Sequence, residues 1–276
     1  MAGSRSPILN VMSGAAKRVG RSLVRDYGEV DKLQVSLKGP ADFVSSADRK
    51  ADQYLRDLLG KARPDWGFLT EEGVETKGND PENRWIIDPL DGTTNFLHGL
   101  PHFCISIAHQ RGREIVAGLV YDPLRDETFA AEKGAGAYLN DQRLRVSARR
   151  HLAESVLATG IPTIRGADTV APFLKQLATL STKVSAIRRF GSAALDLAYV
   201  AAGRFDGYWE SDLKPWDMAA GLVLVREAGG FVTDLTGGGS MLESGNVLAT
   251  NPDLHQPVIK LLAAAARLPD WPPAAV

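Results

Sequence analysis

The stretch Trp85-Ile86-Ile87-Asp88-Pro89-Leu90-Asp91-Gly92-Thr93-Thr94-Asn95-Phe96 decides the reading of this chain. An apolar strand signal runs directly into two acids and then into a Gly-Thr-Thr turn. Acids at the end of a buried strand are costly unless a cation compensates them. Pro89 is expected to stop the strand, so that its end turns the Asp88 and Asp91 carboxylates and the Leu90 carbonyl toward one point. Hard oxygen donors of this kind suit Mg2+. Gly92 to Asn95 then offers free N–H groups at a turn or helix start, where a phosphate can be cradled.

Two acidic segments elsewhere fit the same centre. Glu71-Glu72 follow the short apolar run Gly67-Phe68-Leu69-Thr70, and Asp217 opens the apolar run that begins at Pro215. Taken singly, the acidic pair reads as a solvated turn and Asp217 as a helix cap. Only as one constellation with Asp88 and Asp91 do they point to metal chemistry. His98 and His102 flank the motif, but Mg2+ has no need of their softer nitrogens, and they read as structural or rim residues.

Around these segments the periodicity predicts stacked α and β layers. Helices are expected from Ile8 to about Gly28 and from Ser46 to Ala62, the second with Tyr54, Leu55, Leu58 and Leu59 on its apolar side. Between them Lys38-Gly39-Pro40-Ala41-Asp42 reads as a mobile loop. Strands follow at Trp85 to Ile87, Phe103 to Ala108, Ile115 to Tyr121 and Thr128 to Ala131, then a hairpin turning at Asn140-Asp141. From Ser155 onward strands and helices alternate, with helices at Asp168 to Leu180, Ser192 to Ala202, Pro215 to Ala228 and Leu254 to Arg267. The tail Pro269 to Val276 reads as irregular. The expected organisation is a single α/β (α+β) domain over residues 1–276. Residues 1–150 would form a half with the metal site, and residues 151–276 a half with the substrate site.

Composition narrows the function. With 32 Lys+Arg against 33 Asp+Glu the net charge is -1, so there is no electrostatic case for nucleic acid or an acidic membrane as main partner. The lone Cys104 rules out an intramolecular disulfide and a cysteine-based zinc site. No signal-peptide core or apolar span of about 20 residues is present, so the expected location is cytoplasmic.

The sequence resembles the inositol monophosphatase family. WIIDPLDGTTNF (Trp85 to Phe96) looks like that family's first signature and PWDMAAGLVLVREAGG (Pro215 to Gly230) like its second. FLTEEG (Phe68 to Gly73) resembles its metal-binding glutamate segment, and ADFVSSAD (Ala41 to Asp48) the stretch before it. The resemblance implies a layered αβαβα sandwich, Mg2+ dependence with two or three ions per site, lithium sensitivity and a homodimer. Carried over residue by residue, it makes Glu71, Asp88, Asp91, Asp217 and the Leu90 carbonyl metal ligands. Thr93, with Asp48 as its partner, would lie near the nucleophilic water, and the Gly92, Thr93 and Thr94 backbone would hold the phosphate. Ala193, at the start of a substrate-side helix, and Glu210, which takes substrate hydroxyls, would join Asp91 and Asp217 in contacting substrate. Ser192 stands where a threonine is often found and keeps the hydroxyl, and Lys38 would approach a third metal.

The chemistry so implied is direct hydrolysis of a phosphomonoester by metal-activated water, with no phosphoenzyme. Inositol-1-phosphate is the expected substrate, because a Glu210 carboxylate favours a neutral polyol and repels a second phosphate. Histidinol phosphate, fructose 1,6-bisphosphate and 3′-phosphonucleotides are the alternatives within the same superfamily. Arg188 and Arg189 could greet a second anion, although a solvated surface pair explains them as well. A separate alternative is a regulatory, protein-binding role in transcription, since some bacterial members of the family associate with that machinery.

Overall fold

The structure, a computed structural model, describes residues 6–29, 35–39, 42–162 and 167–269, of which 35–39, 42–45 and 167–169 by their backbone. Helix α1 (Pro7–Tyr27) starts where Ser6 accepts the Leu9 N–H at 3.3 Å and Pro7 presets the first turn. It buries Leu9, Met12, Ala16, Val19 and Leu23 along one stripe. Helix α2 (Ser46–Ala62) buries Ala51, Leu55 and Leu59 beside it, whereas Tyr54, expected on the same side, is exposed. Of the segment expected to be a mobile loop, Lys38, Gly39 and Asp42 belong to a paired hairpin, β1 (Val35–Gly39) with β2 (Asp42–Ser45), and Pro40 and Ala41 lie outside the described residues. The Lys38 side chain lies outside the described residues, as does the tail beyond Pro269.

The main sheet has seven strands in the order β3-β4-β5-β6-β7-β8-β9. They are β3 (Trp66–Thr70), β4 (Asp80–Asp91), β5 (Cys104–Arg111), β6 (Glu114–Asp122), β7 (Glu127–Glu132), β8 (Gly136–Leu139) and β9 (Gln142–Arg143). All neighbours are antiparallel except β3 and β4. Alternation along β4 sends Trp85 and Ile87 to the core shared with α1 and α2, and Ile86 to the opposite core. Burying such side chains is worth about 1.5–3 kcal/mol each, which fixes the strand's register.

The second sheet runs β11-β10-β12-β14-β13. It comprises β10 (Val156–Thr159), β11 (Ala186–Arg188), β12 (Gly207–Glu210), β13 (Phe231–Thr233) and β14 (Val247–Thr250). Helices α5 (Ala193–Ala201) and α6 (Pro215–Glu227) fill the space between the sheets; Leu195, Leu197, Met218 and Leu222 join one core with Val120 and Tyr208. Helices α4 (Ala167–Ser181) and α8 (Pro252–Ala265) cover the far face through Phe173, Leu180, Val258 and Leu262 against Trp209 and Leu248. The layers therefore read αβαβα, as expected from the sequence. Two short helices, α3 (Thr93–Leu97) and α7 (Met241–Ser244), complete the fold.

Pro89 does not stop β4. The strand continues to Asp91 with an irregularity, since Asp88 pairs with Ser106 and Asp91 with Cys104. Three steps on β4 thus match two on β5, a bulge of one residue. Residues three apart point to opposite faces of a regular strand; the extra residue brings Asp88 and Asp91 to one face, toward α5 and α6.

Candidate active site

A cleft of about 260 Å³ opens where the main sheet meets the helix layer. Asp88, Leu90, Asp91, Gly92, Thr93 and Thr94 form one wall, and Ser192, Ala193, Asp196, Glu210 and Asp217 line the other. Three helix starts converge here: α3 after Gly92, α5 after Ser192 and α6 after Lys214. Their exposed N–H groups and dipoles favour negative charge in the space between them.

Each acid is placed by a local device. Gly92 adopts φ 94°, and an added Cβ would meet the His102 carbonyl at 2.9 Å, so the turn from β4 into α3 needs glycine. Thr93 Oγ1 donates to Leu90 O at 2.9 Å or to Asp48 Oδ2 at 3.3 Å, with one hydrogen to share. Asp91 Oδ2 accepts the Ser192 hydroxyl at 2.6 Å, the Ala194 N–H at 2.8 Å and the Cys104 thiol at 3.7 Å. Asp217 Oδ2 accepts the Lys214 N–H at 2.7 Å, so this residue does cap α6, as the sequence allowed. Strand β3 lies parallel to β4, pairing Thr70 with Ile87, and Glu71 N–H donates to Ile87 O at 3.2 Å. Glu71 is thereby set beside Asp88. Arg56 braces the turn that follows, through Thr70 Oγ1 at 2.5 Å and Val74 O at 3.1 Å.

The electrostatics are those of a site short of positive charge. Burial, then Glu71, Asp91, Asp217 and Asp48, hold the Asp88 carboxyl well above the usual range. Burial and the Asp91 charge do the same to Asp217, against the pull of the Lys214 N–H. Burial raises Asp91 too, although hydrogen bonds from Ser192, Ala194, Cys104 and Ala193 draw it back. Glu210 is lifted to about 7 by burial, with the Tyr208 hydroxyl bonded to its carboxylate as the main opposing influence. These oxygen donors, with the Leu90 carbonyl between them, fit a hard divalent cation, whose charge would relieve the repulsion.

Among the described residues, the one group of three acids whose ligand atoms lie within 4.8 Å of each other is Asp48, Glu71 and Glu72. Asp91 and Asp217 line the same cleft, bonded to Ser192 and Lys214, and stand outside that group of three. His98 ends α3, and His102 packs against Phe190 with ring centroids 5.0 Å apart, its pKa lowered to about 4 by burial. Neither lines the cleft.

The cleft wall also holds three residues that the sequence reading left open or did not single out. Arg189, which could meet a second anion or belong to a solvated pair, lines the cleft while Arg188 does not. Gly160 lies against Glu210, where an added Cβ would fall 1.8 Å from Oε1. Asp196 is the third, and its signal was available: it is the one charged residue of α5.

A five-layer sandwich with an acid-lined cleft at converging helix starts defines a phosphatase scaffold, and comparison with known proteins makes the class specific. The sequence profile of the inositol monophosphatase family matches residues 4–267, and the chain belongs to that family. An inositol-1-monophosphatase of Rhizobium meliloti is 58% identical over 248 residues, 90% of this chain and 93% of that protein. The Nus factor SuhB of Escherichia coli is 45% identical, covering 95% of this chain and 96% of its own. The crystal structure of the extragenic suppressor protein suhB from Bartonella henselae superposes with a TM-score of 0.90 at 56% identity, over 93% of this chain and 98% of that one. No helix among the described residues is long and apolar enough to cross a membrane.

Proposed function

We propose that this phosphatase is Mg2+-dependent and hydrolyses inositol-1-phosphate to inositol and phosphate. The observation that carries the reading is the meeting of Asp88, Asp91 and Asp217, all with raised pKa values, at a cleft that Glu210 also lines. Glu71, Asp88, Asp91, Asp217 and the Leu90 carbonyl would hold two or three Mg2+ ions. Bound there, Mg2+ supplies Lewis acidity to the attacking water and to the leaving oxygen. The Gly92, Thr93 and Thr94 backbone, at the start of α3, holds the phosphoryl oxygens. Glu71 and the Thr93–Asp48 pair orient the water and take its proton, Thr93 Oγ1 passing its own hydrogen toward Asp48 Oδ2. Glu210 accepts hydroxyls of the leaving polyol beside Ala193. The 58%-identical relative named inositol-1-monophosphatase supports this choice of substrate. The same reading makes the protein a cytoplasmic homodimer.

The test is phosphate release from inositol-1-phosphate, fructose 1,6-bisphosphate, histidinol phosphate and 3′-phosphoadenosine 5′-phosphate, each with Mg2+, with chelator and with lithium. Preferred release from inositol-1-phosphate, dependent on Mg2+ and blocked by lithium, supports the reading. No release from any of the four by folded, Mg2+-loaded protein overturns it. That outcome would favour a regulatory role, for which the 45%-identical relative named a Nus factor is the motivating observation.

A further inference from the structure

One acid on the cleft wall has no part in the reaction just described. Asp196 stands in the first turn of α5, is 1% exposed, and lines the cleft beside Glu210 and Arg189. Its Oδ1 is buried and accepts no hydrogen bond from the described residues. Leaving such an acceptor unmatched costs about 1–3 kcal/mol, and more if it is charged. A leucine or alanine, like those around it in α5, would carry no such cost. Buried polar groups are otherwise matched in folded proteins, so an exception on a residue that lines a binding cleft points to a ligand.

The neighbouring acids differ in this respect. Asp91 is matched by Ser192, Ala194 and Cys104. Glu210 takes the Tyr208 hydroxyl and a backbone hydrogen bond from Gly160. Asp196 therefore has the open acceptor capacity of this wall. Burial, then the Glu210 and Asp91 charges, push its carboxyl well above the usual range, against the pull of the Arg189 guanidinium. Asp196 and Glu210 together offer more carboxyl oxygen than the one Arg189 guanidinium can match, so the wall suits substrate hydroxyls better than a second anion.

We propose that Asp196 is a specificity-determining residue of this cleft, taking a hydroxyl of the polyol leaving group alongside Glu210 and excluding leaving groups that carry a second phosphate. The inference rests on the polyol phosphatase reading above and names the residue that selects within it. It also separates binding from folding, because a residue kept for its ligand is one the fold alone would do better without.

The experiment compares wild type with Asp196→Ala and Asp196→Leu on inositol-1-phosphate, histidinol phosphate, fructose 1,6-bisphosphate and p-nitrophenyl phosphate, whose leaving group offers no polyol. Melting temperature is read in parallel. Expected for both variants is a KM for inositol-1-phosphate raised about tenfold, with kcat within about threefold and KM for p-nitrophenyl phosphate within about twofold. Preference for inositol-1-phosphate over the bisphosphate falls, and melting temperature stays level or rises. Equal KM changes on inositol-1-phosphate and p-nitrophenyl phosphate, or a lower melting temperature with unchanged KM, make Asp196 structural and overturn the proposal. A larger loss on histidinol phosphate than on inositol-1-phosphate overturns the polyol assignment. If wild type does not cleave inositol-1-phosphate, the parent reading fails and takes this one with it. If it does and the variants leave selectivity unchanged, this inference alone fails.

Discussion

The Ser192 hydroxyl donates to Asp91 Oδ2 at 2.6 Å and ties the end of β4 to the start of α5. One oxygen of Asp91 is thereby occupied with α5, since the Ala194 N–H meets it as well. Hydrogen bonds to charged groups are worth about 1.5–3 kcal/mol. Ser192→Ala is expected to lose that much in urea unfolding and to weaken the response of activity to Mg2+. Ser192→Thr keeps the hydroxyl and should restore most of both. A Ser192→Ala protein as stable and as Mg2+-responsive as wild type would mean that the contact does not position Asp91.

Asp88 is 2% exposed, with four other carboxylates raising its pKa. Removing its charge should relieve the site and disable it together. Asp88→Asn is expected to melt a few degrees higher than wild type in chelator, as about 1 kcal/mol would give for a chain of this size. It should also lose the stabilisation that Mg2+ confers on wild type and at least about 100-fold in phosphate release. Calorimetry with and without Mg2+ checks the first pair of outcomes. A variant less stable in chelator and still stabilised by Mg2+ would remove Asp88 from the metal centre.

What the sequence reveals of this fold follows from where local chemistry and tertiary packing agree. Helix α1 begins at Pro7, one residue before the expected Ile8, and α2 spans Ser46–Ala62 as the periodicity predicts, because each buries a single stripe. Strand β3 is five residues long and gains its identity by pairing with β4, which no local pattern announces. The bulge is hidden for the same reason: Pro89 reads as a stop, and only the register against Ser106 and Cys104 reveals that the strand goes on. At the site, Asp88, Asp91 and Asp217 are legible as acids beside apolar runs. Arg189 is legible only as half of a pair that could meet an anion or stay solvated, and the tertiary fold decides that Arg189 rather than Arg188 lines the cleft.

Asp217 holds two roles that substitution can separate. Its Oδ2 accepts the Lys214 N–H at 2.7 Å and so caps α6, while its placement in the cleft makes it a proposed ligand. Asparagine can still accept that hydrogen bond, whereas alanine cannot. In urea unfolding Asp217→Asn is expected to match wild-type stability, and Asp217→Ala to be about 1 kcal/mol less stable. Both should lose phosphate release to a similar degree. Retained activity in Asp217→Asn would leave the residue as a cap alone.

Glu210 gives a prediction in pH. Its carboxyl is raised from 4.5 to about 7, so the folded protein holds a proton that the unfolded chain releases. The folded state therefore binds more protons between those values, and the stability this group contributes is full below about pH 4.5 and lost as pH rises through about 7. In chelator, the stability of Glu210→Gln relative to wild type should grow across that window, by an amount on the order of 3 kcal/mol. Binding runs the other way, because the ionised carboxylate is the better acceptor of hydroxyls. For wild type, KM for inositol-1-phosphate should fall as pH rises across about 7, and Glu210→Gln should flatten that limb. Gly160→Ala, whose Cβ would displace Oε1, should raise KM for the same substrate and leave inhibition by inorganic phosphate unchanged. If the limb persists in Glu210→Gln, the titrating group is another residue, and Glu210 does not govern how the polyol is held.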